Sequence, residues 1–528
     1  MVQGARVRAL VEAVLEKKEE KIVDTTISVC PECNALIPAD LIEKDGKIYI
    51  RKKCPKHGEF TDLYFGSAEM YYRFKEYAHD GKGISTPNVK TSSYMCPYSC
   101  GLCPGHLSHT ALANIVVTNR CNLHCWYCFF YAERAGYVYE PSLEQIRKMV
   151  KILRAQRPVP GNAIQLTGGE PTLREDLPDI IRMMKEEGID FVMLNTNGIR
   201  LAKDFEYFKK VKEAGVSTLY LSFDGVTPKT NPKNYWEIPD ILNNARKLGV
   251  GVVLVPTVIK TINDHELGDM VRFGFKNADV VRAVNFQPVS LIGRMPKKQR
   301  EKFRITIPDC IKKIEEQTDG QIPEDAWFPV PAAVPVTHII EAITQRPQYE
   351  LSTHFVCGAG TYVFKDGDRM IPITDFVDVN GLLNYLEEMA EKIKSGQNKY
   401  ISALKLLFKF GSFINQKKAP TGMNVKRMLF KIFVKHDYSS VGEWHQKSLF
   451  LGMMHFQDKY NYDVERVRRC CIHYLMPDGR IIPFCAFNVF SEIYRDTVQR
   501  RYGIPIEEWE RRTGRKLSDD LYRRVEPQ

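Results

Sequence analysis

No apolar run in this sequence approaches the ~18 to 20 residues that a membrane-spanning helix needs. The opening MVQGARVRALVEAVLEKKEEK is charged and lacks the apolar core and small-residue cleavage site of a secretory signal. Both absences predict a protein that stays inside the cell. There is no fixed-period repeat and no low-complexity tract, and the 44% hydrophobic and 26% charged content is that of globular chains. Disorder, collagen-like repeats and coiled coil along the whole length are thereby excluded. Acid is missing from one window: between Lys392 and His436 there are eleven Lys and Arg and no Asp or Glu, equal to the excess of the whole chain, 75 minus 64, or +11. Such a block meets nucleic acid, anionic lipid or merely solvent.

Cysteine, by contrast, is abundant. A reducing interior disfavours disulfides, so clustered thiols there hold metal or do redox chemistry. Of the fourteen cysteines, thirteen are grouped: Cys30, Cys33 and Cys54; Cys96, Cys100 and Cys103; Cys121, Cys125 and Cys128; and Cys357, Cys470, Cys471 and Cys485. Only Cys310, in the helix-like IPDCIKKIEEQ, stands apart, as a small buried apolar residue would.

The 528 residues allow two to four domains. Residues 26–64 read as short strands around CPEC and CPKHG, with EKDGKIYIRKK turning on Asp-Gly, a ribbon-like metal knuckle. From residue 112 short apolar strands alternate with amphipathic helices, from ANIVVTN through AIQLTGG, FVMLNTNG, TLYLSFDG and VGVVLVPTVI to VVRAVNFQPVS. Repeated βα units mean a parallel α/β sheet. Six strands are too few for the closed eight-stranded barrel, so a partial (β/α)6 TIM-like barrel is expected. Boundaries fall at 1–65 for the knuckle, 66–111 for a connector carrying a cysteine triplet, 112–300 for the barrel, 301–465 for a largely helical region and 466–528 for the last cysteines.

ANIVVTNRCNLHCWYC places Cys121, Cys125 and Cys128 in C-x3-C-x2-C spacing just after the first barrel strand. Three thiolates at that spacing can hold three corners of a [4Fe–4S] cluster and leave one iron open. With AIQLTGGEPTLRED forty residues on, residues 112–292 resemble the radical S-adenosylmethionine (SAM) superfamily. The resemblance implies that Cys121, Cys125 and Cys128 are catalytic and cleave SAM to a 5′-deoxyadenosyl radical. It implies SAM contacts from Tyr127, from Gly168, Gly169, Glu170 and Pro171 of GGEP, and from strand-end residues among Asn195, Thr196, Asn197, Ser222, Asp224, Thr257 and Gln287. Each of these strand-end residues can equally be a strand-terminating cap.

MCPYSCGLCPGH repeats the same spacing at Cys96, Cys100 and Cys103, but in a Pro- and Gly-rich loop with no preceding strand. It reads as an auxiliary cluster that takes a fourth ligand from elsewhere, with structural zinc as the alternative. Cys30, Cys33, Cys54 and His57 fit either zinc or a rubredoxin-like mononuclear iron. Cys357, Cys470, Cys471 and Cys485 look like the SPASM-type auxiliary domains of the superfamily, with one of the adjacent pair free to complete the Cys96 triplet. The expected inventory is SAM, three [4Fe–4S] clusters and one mononuclear iron or zinc. No histidine beyond His57 is assigned a role.

The basic block holds a helical pattern at Val425, Met428, Leu429, Ile432 and Phe433 with Lys426, Arg427, Lys431 and Lys435, and a shorter one at Leu404, Leu407 and Phe408. A basic amphipathic helix is a membrane-surface signature, with a core-facing helix as the plainer reading. SLFLGMMHF at 448–456 offers soft apolar residues for a lipid groove. Together these features resemble the archaeal tetraether lipid synthases. That resemblance implies carbon–carbon joining of phytanyl chain ends of a glycerol ether phospholipid, a place in the cytoplasm at the inner membrane face, and an electron donor such as ferredoxin or flavodoxin. The alternative enzyme is a radical SAM methyltransferase or other modifier of a pterin-like small molecule. Nucleic acid is not expected as a partner, because the block lacks the arginines and interleaved aromatic pattern expected of base-stacking surfaces.

Overall fold

The computed structural model describes residues 20–89, 96–128, 135–425 and 447–524. Four antiparallel strands form the N-terminal ribbon in sequential order: β1 (Lys21–Val29), β2 (Leu36–Lys44), β3 (Lys47–Cys54) and β4 (Gly58–Phe65). Asp45 and Gly46 between β2 and β3 have φ of 52° and 69°, the paired left-handed geometry of a two-residue hairpin.

Six parallel strands form the core in the order β5 (Leu112–Thr118), β7 (Ala163–Gly168), β8 (Phe191–Thr196), β9 (Thr218–Ser222), β10 (Gly251–Val255) and β12 (Val281–Pro288). This is the expected partial barrel. Short β6 (Tyr137–Val138) and β11 (Thr257–Val258) flank it. Helices cover its outer face, as in Leu143–Arg154, where Ser142 and Gln145 form a reciprocal capping box and Ile146, Met149, Val150 and Leu153 are buried at helical spacing.

The sheet does not stop at the barrel. At one edge β16 (Ser448–Met454) runs parallel to β12 and antiparallel to β14 (Gly358–Asp366), which also pairs with β13 (Phe328–Pro329) and β15 (Arg369–Pro372). At the other edge β17 (Ile472–Leu475) lies parallel to β5, and β18 (Ile481–Pro483) folds back on it. The stretch expected to line a lipid groove is therefore an interior strand: Leu449, Leu451 and Met453 are buried and serve sheet packing. In helix Lys399–Phe410, Leu406 faces the core while Leu404 and Phe408 are 54% and 85% exposed. Lys426, Arg427, Lys431 and Lys435 lie outside the described residues. No helix among the described residues is long and apolar enough to cross a membrane.

The ribbon is docked on loop 456–463. Ser28 Oγ donates to the Tyr462 carbonyl at 2.6 Å, Lys52 Nζ to the Lys459 carbonyl at 2.7 Å, and the Tyr64 hydroxyl to Asp463 at 2.6 Å. Arg304 joins the two: it bonds Asp62 of β4 at 3.0 Å and grips Asp458 at 2.6 and 3.2 Å.

Candidate active site and metal centres

β5 delivers the chain into Asn119, Arg120 and Cys121, and the end of β7 is laid against that backbone. Gly169 N donates to the Thr118 carbonyl at 2.8 Å, and Glu170 N to the Arg120 carbonyl at 2.7 Å. No side chain fits there. A Cβ on Gly168, where φ is +139°, would lie 2.0 Å from the Thr118 oxygen, and one on Gly169 would lie 2.0 Å from the Arg120 oxygen. The paired glycines let two strand ends meet behind the cysteine loop. Arg120 is itself buried, bonded to Glu140 at 2.9 Å and Asp520 at 2.6 Å.

Glu170 accepts four hydrogen bonds: from Thr172 N at 3.1 Å, the Thr172 hydroxyl at 2.6 Å, the Thr196 hydroxyl at 2.6 Å and Asn197 N at 2.8 Å. Its carboxylate thus braces the ends of β7 and β8. Burial raises its pKa, and those four donors oppose the shift. Pro171 opens the short turn that follows. Asn197 donates to Asn122 at 2.7 Å, tying β8 to the cysteine loop, while Asn195 reaches Thr167 at 3.4 Å.

On the opposite wall Asp224, just past β9, accepts from the Tyr127 hydroxyl, from Thr257 N at 3.0 Å and from Lys233 Nζ at 2.6 Å. Lys233 also donates to the Tyr127 oxygen at 3.1 Å. Burial, and then the Asp224 charge, lift the Tyr127 hydroxyl well above its ordinary range, so it stays a donor. These side chains line a cavity of about 240 Å³ with Cys125, Trp126, Thr230 and Asn263. Lys233 escaped the sequence reading because it lies in the irregular TNPKNYW segment, and only the proximity of Asp224 gives it meaning. The Ser222 carbonyl accepts from Asn234, and Gln287 N donates to the Pro256 carbonyl. Burial raises the thiols of Cys121 and Cys125, so loading a metal there releases protons.

The second triplet does not stand alone. Cys96, Cys100, Cys470 and Cys485 share one hydrophobic cluster with Tyr462 and Tyr494, and Cys100 N donates to the Tyr494 hydroxyl at 3.1 Å. A cavity of about 620 Å³ opens beside Cys96, Cys100 and Cys103, walled by Ile27 and Ile37 of the ribbon and by Val464, Val467 and Arg468. Cys357 and Cys471 are buried nearby, and Cys357 Sγ accepts from Arg466 at 3.2 Å. Cys310 is fully buried in helix Ile307–Gln317.

In the ribbon, the ligand atoms of Cys30, Cys33, Cys54 and His57 all lie within 4.8 Å of one another. Individual separations are 3.5 Å from His57 Nδ1 to both Cys30 Sγ and Cys54 Sγ, and 3.9 Å from Cys33 Sγ to Cys54 Sγ. A tetrahedral zinc with ~2.3 Å Zn–S bonds needs sulfurs roughly 3.8 Å apart, so the four residues fit such an ion. Burial works to raise the Cys54 thiol, but the amides of Lys56 and His57 and the His57 ring pull it down to about 6.

Residues 115–274 match the Radical SAM superfamily, and residues 22–66 match the HMPTM N-terminal zinc ribbon domain. Fold and cysteine loop together define a radical SAM enzyme, a class that uses SAM and a [4Fe–4S] cluster, here with a zinc ribbon at its N-terminal side. A 7,8-dihydro-6-hydroxymethylpterin dimethyltransferase from Methanocaldococcus jannaschii is 48% identical over 496 residues, covering 92% of this chain and 97% of that protein. The chain belongs to that protein's family. A GTP 3′,8-cyclase from Aquifex aeolicus is 36% identical over 189 residues, 34% of this chain and 57% of the cyclase. Among solved structures, methylornithine synthase shares 18% identity over 40% of this chain and 64% of its own, with a TM-score of 0.30.

The relative spanning the whole fold overturns the resemblance to tetraether lipid synthases, and with it the ether-lipid substrate and the membrane-surface partner. The physical reason is that cysteine triplets and the GGEP element report cofactor chemistry common to the superfamily, and neither they nor a basic amphipathic pattern identifies a substrate. SLFLGMM, offered as the lining of a lipid groove, is the buried strand β16. Neither the described residues nor the relatives support a ferredoxin or flavodoxin partner or placement at the membrane face.

Proposed function

We propose that this chain is a radical SAM methyltransferase acting on a pterin of the 7,8-dihydro-6-hydroxymethylpterin class. The observation that carries the reading is the 48% identity to a dimethyltransferase of that pterin along 97% of its length. A [4Fe–4S] cluster with one open iron supplies the electron that cleaves SAM to a 5′-deoxyadenosyl radical.

Cys121, Cys125 and Cys128 are the residues to hold that cluster, since they follow barrel strand β5 in the loop whose entry, at Thr118 and Arg120, is bonded by the GGEP backbone. Gly168, Gly169, Glu170 and Pro171 keep the cysteine loop and the β8 end in register. Asn195, Asn197, Ser222, Asp224 and Gln287 then present polar groups from the strand ends, where a parallel barrel places its ligands, and Tyr127 presents its hydroxyl from the cysteine loop. Lys233 neutralises Asp224 at the rim and keeps Tyr127 oriented. Cys96, Cys100 and Cys103 hold a second cluster completed by Cys470 or Cys485, which share their apolar surroundings. Cys357, Cys471 and the remaining cysteine of that pair supply a third, and the ribbon holds one zinc.

Anaerobically reconstituted protein given reductant, the dihydropterin, SAM as radical source and a one-carbon donor, offered in parallel as further SAM or as a methylene-carrying reduced pterin, should return pterin heavier by one or two CH2 units, together with 5′-deoxyadenosine and methionine. Pterin recovered unchanged while SAM is cleaved would overturn the substrate.

A further inference from the structure

Most buried arginines in this protein are answered by carboxylates: Arg120 by Glu140 and Asp520, Arg304 by Asp62 and Asp458. Arg466 is the contrast. It is 1% exposed, in helix Val464–Arg468, and has no carboxylate partner among the described residues. Its Nε donates to Cys357 Sγ at 3.2 Å, its Nη2 donates to the His455 carbonyl at 2.7 Å, and its Nη1 has no hydrogen-bond partner. Asp463, three residues away, is engaged by the Thr26 and Tyr64 hydroxyls.

A guanidinium cannot shed its proton, and a charge taken out of water without a counter-charge is strongly disfavoured. Among the described residues, the group hydrogen-bonded to Arg466 that can carry the answering negative charge is the Cys357 sulfur. Neutral thiols do not suffice; metal-bound thiolates do. A [4Fe–4S] unit held by thiolates is net negative in both redox states and more so when reduced.

We propose that Arg466 is the fixed counter-cation of the cluster at Cys357 and its neighbouring cysteines, and that it raises the reduction potential of that cluster. The proposal rests on reading those cysteines as an auxiliary cluster site. A buried positive charge stabilises the reduced, more negative form above the oxidised one, and an N–H donated to a ligating sulfur acts in the same direction. Reduction here takes one electron from an external reductant, with no bond made or broken and no proton moved. Arg466 is a positioning and tuning residue and touches no substrate.

The test is a potentiometric titration of the reconstituted full-length enzyme, followed by electron paramagnetic resonance. Cys357→Ala tests the underlying site: it should remove the iron and signal of one cluster, and unchanged iron would sink the cluster reading alone. Arg466→Gln, with iron retained, should shift the reduction equilibrium of that cluster at least tenfold toward the oxidised form, about 59 mV for one electron. Arg466→Lys should shift it less, and the cluster at Cys121 should not move in either variant. An unmoved potential in iron-loaded Arg466→Gln overturns the proposal. If Arg466→Gln fails to hold iron, iron loading of Arg466→Lys decides: retention supports a requirement for charge, and equal loss shows a requirement for shape and overturns it.

Discussion

A Cβ on Gly169 would stand 2.0 Å from the carbonyl oxygen of Arg120, the residue immediately before Cys121. The glycine pair is thus a spacer of zero thickness between β7 and the cysteine loop. Gly169→Ala has to push one backbone off the other, and even ordinary overpacking costs about 1–3 kcal/mol. The variant should lose iron from the Cys121 site on reconstitution and form at least tenfold less 5′-deoxyadenosine. Gly249→Ala, at an open helix end with φ +65° and nothing within 4 Å, should leave both measurements near wild type. Normal iron and SAM cleavage in Gly169→Ala would show that the close approach is dispensable.

Asp224 and Lys233 form a nearly solvent-free pair, with side chains 5% and 8% exposed. Removing one partner leaves the other charge buried, a loss of about 3–5 kcal/mol, whereas removing both costs far less. Thermal unfolding of Asp224→Asn, Lys233→Met and the double variant should show the double to be more stable than either single. Additive losses would mean that the pair is not coupled.

Arg304 and Asp458 predict an acid-sensitive joint between ribbon and barrel. Burial alone would raise Asp458, but Arg304 outweighs it and holds the carboxyl at about 2, below its ordinary 3.8. A depressed carboxyl contributes its stability above the unfolded value. That contribution is present above about pH 4 and is lost as the pH falls from 3.8 toward 2. Asp458→Asn should lower stability by roughly 3–5 kcal/mol at neutral pH and flatten the acid limb of an unfolding curve between those pH values.

The ribbon ligands predict one tightly held zinc. Replacing it with cobalt should give the intense visible bands of a tetrahedral thiolate site, and Cys33→Ala should weaken them. Because β1 and β4 dock on loop 456–463 through Ser28 and Tyr64, stripping the metal should also expose that loop to proteolysis. An octahedral spectrum would contradict the Cys3His ligand set.

The six barrel strands were legible because each is a short apolar run between amphipathic helices, and the ribbon because Asp45–Gly46 and the paired cysteines advertise themselves. The pairing of the edge strands was not. β16 and β17 join the barrel through partners far along the chain, as in Phe450 against Ala283 and Ile472 against Leu112, and local periodicity carries no trace of such pairing. Lys233 and Arg466 were missed for the same reason: each sits in unremarkable local sequence and is defined by what surrounds it. Substrate assignment misled because metal-binding cysteines report cofactor chemistry, while the basic block said nothing specific about a ligand.

The two-sided extension of the barrel sheet has a consequence for how the chain comes off the ribosome. β5 and β12, the outer strands of the six, find their neighbours β17 and β16 only after most of the chain has been made. Until then a nascent barrel carries two bare edges, each a template for pairing with another chain. Contacts of such separation also slow folding. A fragment ending near residue 300, though it contains every strand of the barrel and the whole SAM-binding motif set, should therefore be the form that aggregates. The C-terminal region acts as the pair of clasps that closes the catalytic core.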